Sequence, residues 1–114
     1  MTRPTPPLLV CWEDFTKLLL ETTEGFPKSA RRTFSERLEG HTLDIYEELI
    51  RARFSRTPKA HVEEANLRLD LLRLLLRLSY QRKFVGEKKL RQLIEKIDEV
   101  GKMLGGWGKA EERR

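Results

Sequence analysis

Few residues in this sequence have the type and spacing for covalent or metal chemistry. Its 114 residues include two histidines, His41 and His61, and one cysteine, Cys11. His41 falls in line with the apolar residues of its segment, where a satisfied, partly buried imidazole is expected rather than a catalytic one. His61 opens another segment and reads as a solvent residue. Cys11 has no basic neighbour in sequence and lies on an apolar stripe, so an inert thiol is expected. The carboxylate pairs Glu47-Glu48, Glu63-Glu64 and Asp98-Glu99 fall on polar faces. Bundles that hold two metals use Glu-x-x-His, and the sequence has no such pattern. It also lacks a GxxxxGK phosphate loop. Gly105-Gly106 follows an apolar stripe instead of preceding one, which reads as a helix C-cap. No catalytic residue, metal, cofactor or small-molecule substrate is expected.

The cations suggest a different kind of chemistry. Lys+Arg number 23 against 18 Asp+Glu, a net charge of +5. They come in clusters: Lys28, Arg31 and Arg32; Arg51, Arg53, Arg56 and Lys59; Arg73, Arg77, Arg82 and Lys83; Lys88, Lys89 and Arg91; and Lys102 further on. The plain reading is a solvated surface laced with ion pairs, and Asp70 is spaced to pair with Arg73 at i,i+3. Lys88 and Lys89 weigh against that reading. They open a helical stripe, where cations oppose the macrodipole. Such a cost points to a use outside the fold, with phosphate as the natural ligand. No aromatic RNA platform or zinc-finger spacing accompanies them, so nucleic-acid contact is expected to be to backbone and shape.

The elements that must position these cations are helices. From Leu8, the residues Cys11, Trp12, Phe15, Leu18 and Leu19 form one helical stripe that ends near Gly25, and Phe26-Pro27 breaks it. Pro27-Lys28-Ser29 starts a second helix reaching about Ser55. Phe34, Leu38, Ile45, Leu49 and Ala52 form its inner stripe. Leu43, Ile50 and Phe54, with Tyr46 beside them, form another apolar line on nearly the opposite face. Thr57 is placed to N-cap a third helix with Pro58 at its first position. That helix holds eight leucines between Ala60 and Phe84. At 100° per residue from Val62, Ala65, Leu69, Leu72 and Leu76 fall at about 280–340°, and Leu67, Leu71, Leu74, Leu75 and Leu78 at about 120–220°. Asn66, Asp70, Arg73, Arg77 and Gln81 collect at about 20–100°. Arg68 interrupts the apolar surface. A fourth helix starts near Glu87, with Leu90, Leu93, Ile94, Ile97, Val100 and Leu104 inward, and Gly105-Gly106-Trp107-Gly108 is expected to end it.

Helices this long with short connectors give an all-α, up-down-up-down four-helix bundle. Its expected limits are a flexible start at 1–7, the bundle at 8–108 and a charged tail at 109–114. A domain of this size supplies one core. The second apolar face of helices two and three, with Leu43, Ile50, Phe54, Leu71, Leu74 and Leu78, therefore points to other subunits. One cysteine excludes an intrachain disulfide and fits a reducing cytoplasm. No signal-peptide pattern opens the chain. No apolar run approaches the roughly 20 residues that span a bilayer.

LRLLLRL (Leu72–Leu78) with Ala65 upstream, followed by EVGKMLGGW (Glu99–Trp107), resembles the accessory variability determinant (Avd) proteins of diversity-generating retroelements. FPKSARRTFSERL (Phe26–Leu38) resembles the same family and its relatives. The resemblance covers about residues 8–108. It implies a non-catalytic four-helix bundle assembling as a homopentameric barrel, cytoplasmic, that binds a reverse transcriptase and the template-repeat RNA. The complex makes mutagenic cDNA that diversifies a target gene. Arg73 and Arg77 match the arginines of the family's third helix. Lys102 occupies a basic position of its fourth, and Trp107 its terminal tryptophan, expected to pack. Proteins encoded within intervening sequences of bacterial ribosomal RNA genes share this architecture and are the alternative, as oligomeric protein-interaction scaffolds. The GGW ending and the arginine-rich third helix favour the retroelement accessory protein.

Overall fold

Proline opens the first helix, and a glycine followed by Phe-Pro closes it. In the computed structural model, which describes residues 6–112 and side chains as far as Trp107, α1 spans Pro7–Glu24. The Pro6 carbonyl accepts the amides of Leu9 and Val10, at 3.0 and 3.2 Å. These are two of the donors a helix start leaves free. α2 spans Glu36–Phe54, α3 Lys59–Gln81 and α4 Glu87–Glu112. No strand is present among the described residues. Met1–Thr5 and residues 113–114, parts of the expected start and tail, lie outside the described residues.

Each helix packs against its chain neighbours, and α1 also packs against α4, so four helices close around one core. Direction follows from pairs across the seams. Glu48 meets His61 while Asp44 meets Arg68. A falling number on α2 thus matches a rising one on α3, which makes the two antiparallel. The bundle is up-down-up-down, as the connector lengths predict. Trp12, Phe15, Leu19, Leu38, Ile45, Leu72, Leu76, Leu93, Ile97 and Leu104 are wholly buried. Truncating any one of these leucines to alanine costs about 2–5 kcal/mol. Trp12 and Phe15 stack with centroids 4.4 Å apart. The Trp12 indole N–H donates to the Thr42 carbonyl at 2.9 Å.

Three local expectations need correction. The second helix does not begin as an α-helix at Pro27. Lys28–Ala30 is a 3-10 turn and Arg31–Ser35 a π-helical turn before α2 proper. Each turn ends on a small buried residue, Ala30 and then Ser35, so the changes of pitch after the Phe26-Pro27 corner turn both inward. Thr57 does not cap α3; Pro58 stands at the N-cap, and the Thr57 amide donates to Ser55 Oγ at 3.1 Å. Gly105-Gly106 does not end α4, which runs through both glycines to Glu112. Glycine costs a helix about 1 kcal/mol per residue. Here Leu104 and Trp107 continue the inward stripe of Val100 and pack on the core. That packing outweighs the glycines.

Candidate functional site

The loops of an up-down-up-down bundle alternate between its two ends, which sorts the basic clusters. The α1–α2 and α3–α4 junctions share one end. Phe84 clasps them together, with its ring 5.6 Å from Phe26 and 5.2 Å from Phe34. Lys28, Arg31, Arg32 and Lys88 are exposed at this end and Lys89 is half-buried. None of them has an ion-pair partner among the described residues. The Arg82 guanidinium lies 5.8 Å from the Phe84 centroid. Lys83 is exposed and turns α3 toward α4 at a φ of 64°.

At the other end Arg51 is tied to Glu47 at 2.7 Å, Arg53 lies 5.2 Å from the Phe54 centroid and Arg56 is exposed. Lys102 is exposed on α4 nearby. An open apolar cleft of about 490 Å³ at this end, lined by Pro6, Leu8, Leu9, Leu49, Arg53, Met103 and Trp107, was not legible in residue order. Trp107 is half-buried against the core and forms one wall.

The arginines of α3 have separate roles. Arg68 is half-buried in the α2–α3 seam. It donates to Asp44 Oδ2 at 3.2 Å and to His41 Nδ1 at 3.1 Å. Its Nε sits 3.0 Å from Glu64 Oε1 without hydrogen-bond alignment. A guanidinium only donates, so His41 accepts at Nδ1 and is neutral. Burial, then the Arg68 charge, pushes the His41 pKa down. Arg73 binds Asp70 at 2.7 Å and Asp98 at 3.0 Å, bracing α3 to α4. Gly101 leaves room for this brace, because a Cβ there would stand 3.3 Å from Arg73 Nη2. Arg77, one turn on, is exposed with no ion pair among the described residues.

His61 is not a bare solvent residue. Its Nδ1 donates to Glu48 Oε2 at 2.6 Å, a second α2–α3 tie. Cys11 is half-buried, with its thiol 3.6 Å from Glu99 Oε1. Burial and then the Glu99 charge push its pKa up. That is the opposite of an activated thiolate. Among the described residues, no group of three metal-binding side chains converges.

The backs of α2 and α3, away from the core, carry exposed apolar side chains. Leu43 is 56% exposed, Ile50 41%, Phe54 71%, Leu67 56%, Leu74 45% and Leu78 38%, with Leu71 half-buried among them. Contiguous patches of this kind mark interaction surfaces.

The model of the bAvd-like family matches residues 9–111. The chain belongs to the bAvd-like family. The match reaches all four helices and includes Gly105 and Gly106 of α4. Membership makes this bAvd-like chain an Avd-type accessory protein. No curated protein and no solved structure matches it. Among the described residues, no helix is long and apolar enough to cross a membrane.

Proposed function

We propose that this bAvd-like chain is the non-catalytic accessory subunit of a diversity-generating retroelement, binding the reverse transcriptase and the template-repeat RNA to support mutagenic cDNA synthesis. The observation that carries the reading is the family match over residues 9–111. The exposed, unpaired cations support it, because phosphate contacts of that kind supply sequence-independent affinity.

The proposed assembly is a homopentamer closed through the backs of α2 and α3. The support is the exposed apolar line of Leu43, Ile50, Phe54, Leu67, Leu74 and Leu78. Five chains of 13.5 kDa give about 68 kDa.

The test is co-expression with a reverse transcriptase and its template-repeat RNA, followed by sizing with light scattering. A complex containing all three, releasing RNA as salt rises, is the expected result. A protein that takes up no RNA at low salt and ignores the polymerase refutes the reading. If it assembles through the apolar face and stays free of nucleic acid, it is instead a structural scaffold of the intervening-sequence type.

A further inference from the structure

We propose that the end of the bundle built from the α1–α2 and α3–α4 junctions is the surface that holds the RNA phosphate backbone. This deepens the RNA-binding reading above and rests on it. Residues 25–36 and 80–91 together carry eight cations against two carboxylates, net +6, whereas the whole chain is +5. All remaining residues therefore sum to −1, so the excess charge of this protein resides on one end. Phe84, packed on Phe26 and Phe34, makes the two segments one surface.

Two features show that this charge is held at a cost. Lys83 adopts a φ of 64°, a left-handed conformation that glycine takes freely and lysine does not. Lys88 and Lys89 stand in the first turn of α4, where the macrodipole favours carboxylates. Folding alone would favour glycine at 83 and acids at 88 and 89. Lysine at each of these positions is better accounted for by a use outside the fold. Of these lysines and arginines, one is neutralised within the surface: Arg91 pairs with Glu87 at 2.9 Å.

The occupant follows from what the surface lacks. A protein interface needs an apolar centre. Tyr80 is the one large apolar side chain of these two segments that stands exposed. Separate cations spread over two junctions, all but Arg91 without an ion pair among the described residues, suit phosphates repeated along a strand. The surface is distinct from Arg73, whose charge is already bound to Asp70 and Asp98.

The test compares full-length protein with two charge-matched triple variants, using a labelled RNA hairpin with a single-stranded flank across a salt series. Lys83→Gly, Lys88→Gln and Lys89→Gln together should lower the log–log salt slope by about 2, and affinity in 0.1 M salt by at least about tenfold. Lys17→Gln, Lys59→Gln and Lys96→Gln remove the same charge elsewhere and should change neither. Lys83→Gly alone should raise the melting temperature by about 2–5 °C while weakening RNA binding, a combination that a purely structural role cannot give. Equal loss in both triple variants, or in the second alone, overturns the assignment and leaves RNA binding standing. Loss of the polymerase instead of RNA in the first variant also overturns it, making the surface a protein dock. No binding by the unmodified protein removes the broader reading itself.

Discussion

Arg73→Met and Arg77→Met should separate two arginines that sequence pattern treats alike. Arg73 donates to Asp70 at 2.7 Å and to Asp98 at 3.0 Å, with its own side chain 29% exposed and the two carboxylates 77% and 52% exposed. Exposed pairs are worth about 0.2–1 kcal/mol each. The acids are open to water, so the two together stay near about 1–1.5 kcal/mol. Methionine keeps the packing of the arginine stem, which isolates the charge. In urea that loss lowers the midpoint by about 0.5–1 M at unchanged slope. Arg77→Met should change stability by less than about 0.5 kcal/mol. Protein concentration must be held fixed, because assembly adds to apparent stability. In 1 M salt the Arg73 effect should shrink, since screening acts within about 3 Å. RNA binding is the second readout, and Arg73→Met should leave its salt slope unchanged. If the slope instead falls by about one contact while the urea midpoint stays put, the α3–α4 brace is incidental and Arg73 faces the ligand.

Three further outcomes follow from buried contacts. Trp12→Phe removes the indole donor to the Thr42 carbonyl and leaves a void at a wholly buried site; a loss of about 2–3 kcal/mol in urea unfolding is expected. His41 gives a pH dependence, because burial and the charges of Arg68 and Arg37, opposed by Asp44, hold its folded pKa below the ordinary 6.5. Stability from this group is present above 6.5 and is lost as pH falls through the lower folded value, since the unfolded chain takes up a proton that the fold refuses; His41→Gln should flatten that part of the urea-midpoint profile. Cys11, its thiol pushed up by burial and Glu99, should react with a disulfide reagent at neutral pH several-fold more slowly in the native protein than after denaturation, about as its reduced thiolate fraction requires.

The stripes of Ala65, Leu69, Leu72 and Leu76 and of Leu38, Ile45 and Leu49 are buried where helical periodicity places them. Burial of one face leaves a direct imprint on residue order. The leucines on the other face of α3 were legible in the same way, and Leu67, Leu74 and Leu78 stand exposed. Punctuation by glycine was less reliable. Gly86 does separate α3 from α4, but Gly105 and Gly106 do not end α4. A local cost of about 1 kcal/mol per glycine decides only where tertiary packing is silent, and Trp107 is not silent. The roles of the arginines were illegible for a related reason. Asp70 lies within reach in sequence, but Asp98 and Asp44 come from other helices, and no periodicity shows which arginine meets them. The joining of residues 28–32 with residues 82–89 could have been inferred, because alternate loops of such a bundle share an end.

The apolar and basic surfaces occupy perpendicular parts of one molecule, and that separation matters for assembly. The exposed leucines line the sides of α2 and α3, while the excess charge sits on an end. In the proposed ring, side faces meet side faces around an axis roughly along the helices. Rotation about that axis keeps every basic end pointing the same way. The fields of the copies then add on one rim, and the cost of bringing like charges together falls on that rim rather than in the buried interface. A twofold pairing whose axis ran across the helices would instead place the basic ends at opposite poles and give no such reinforcement. One strand of RNA crossing the rim would neutralise several subunits at once, so RNA binding and ring closure would stabilise each other through the same free energy.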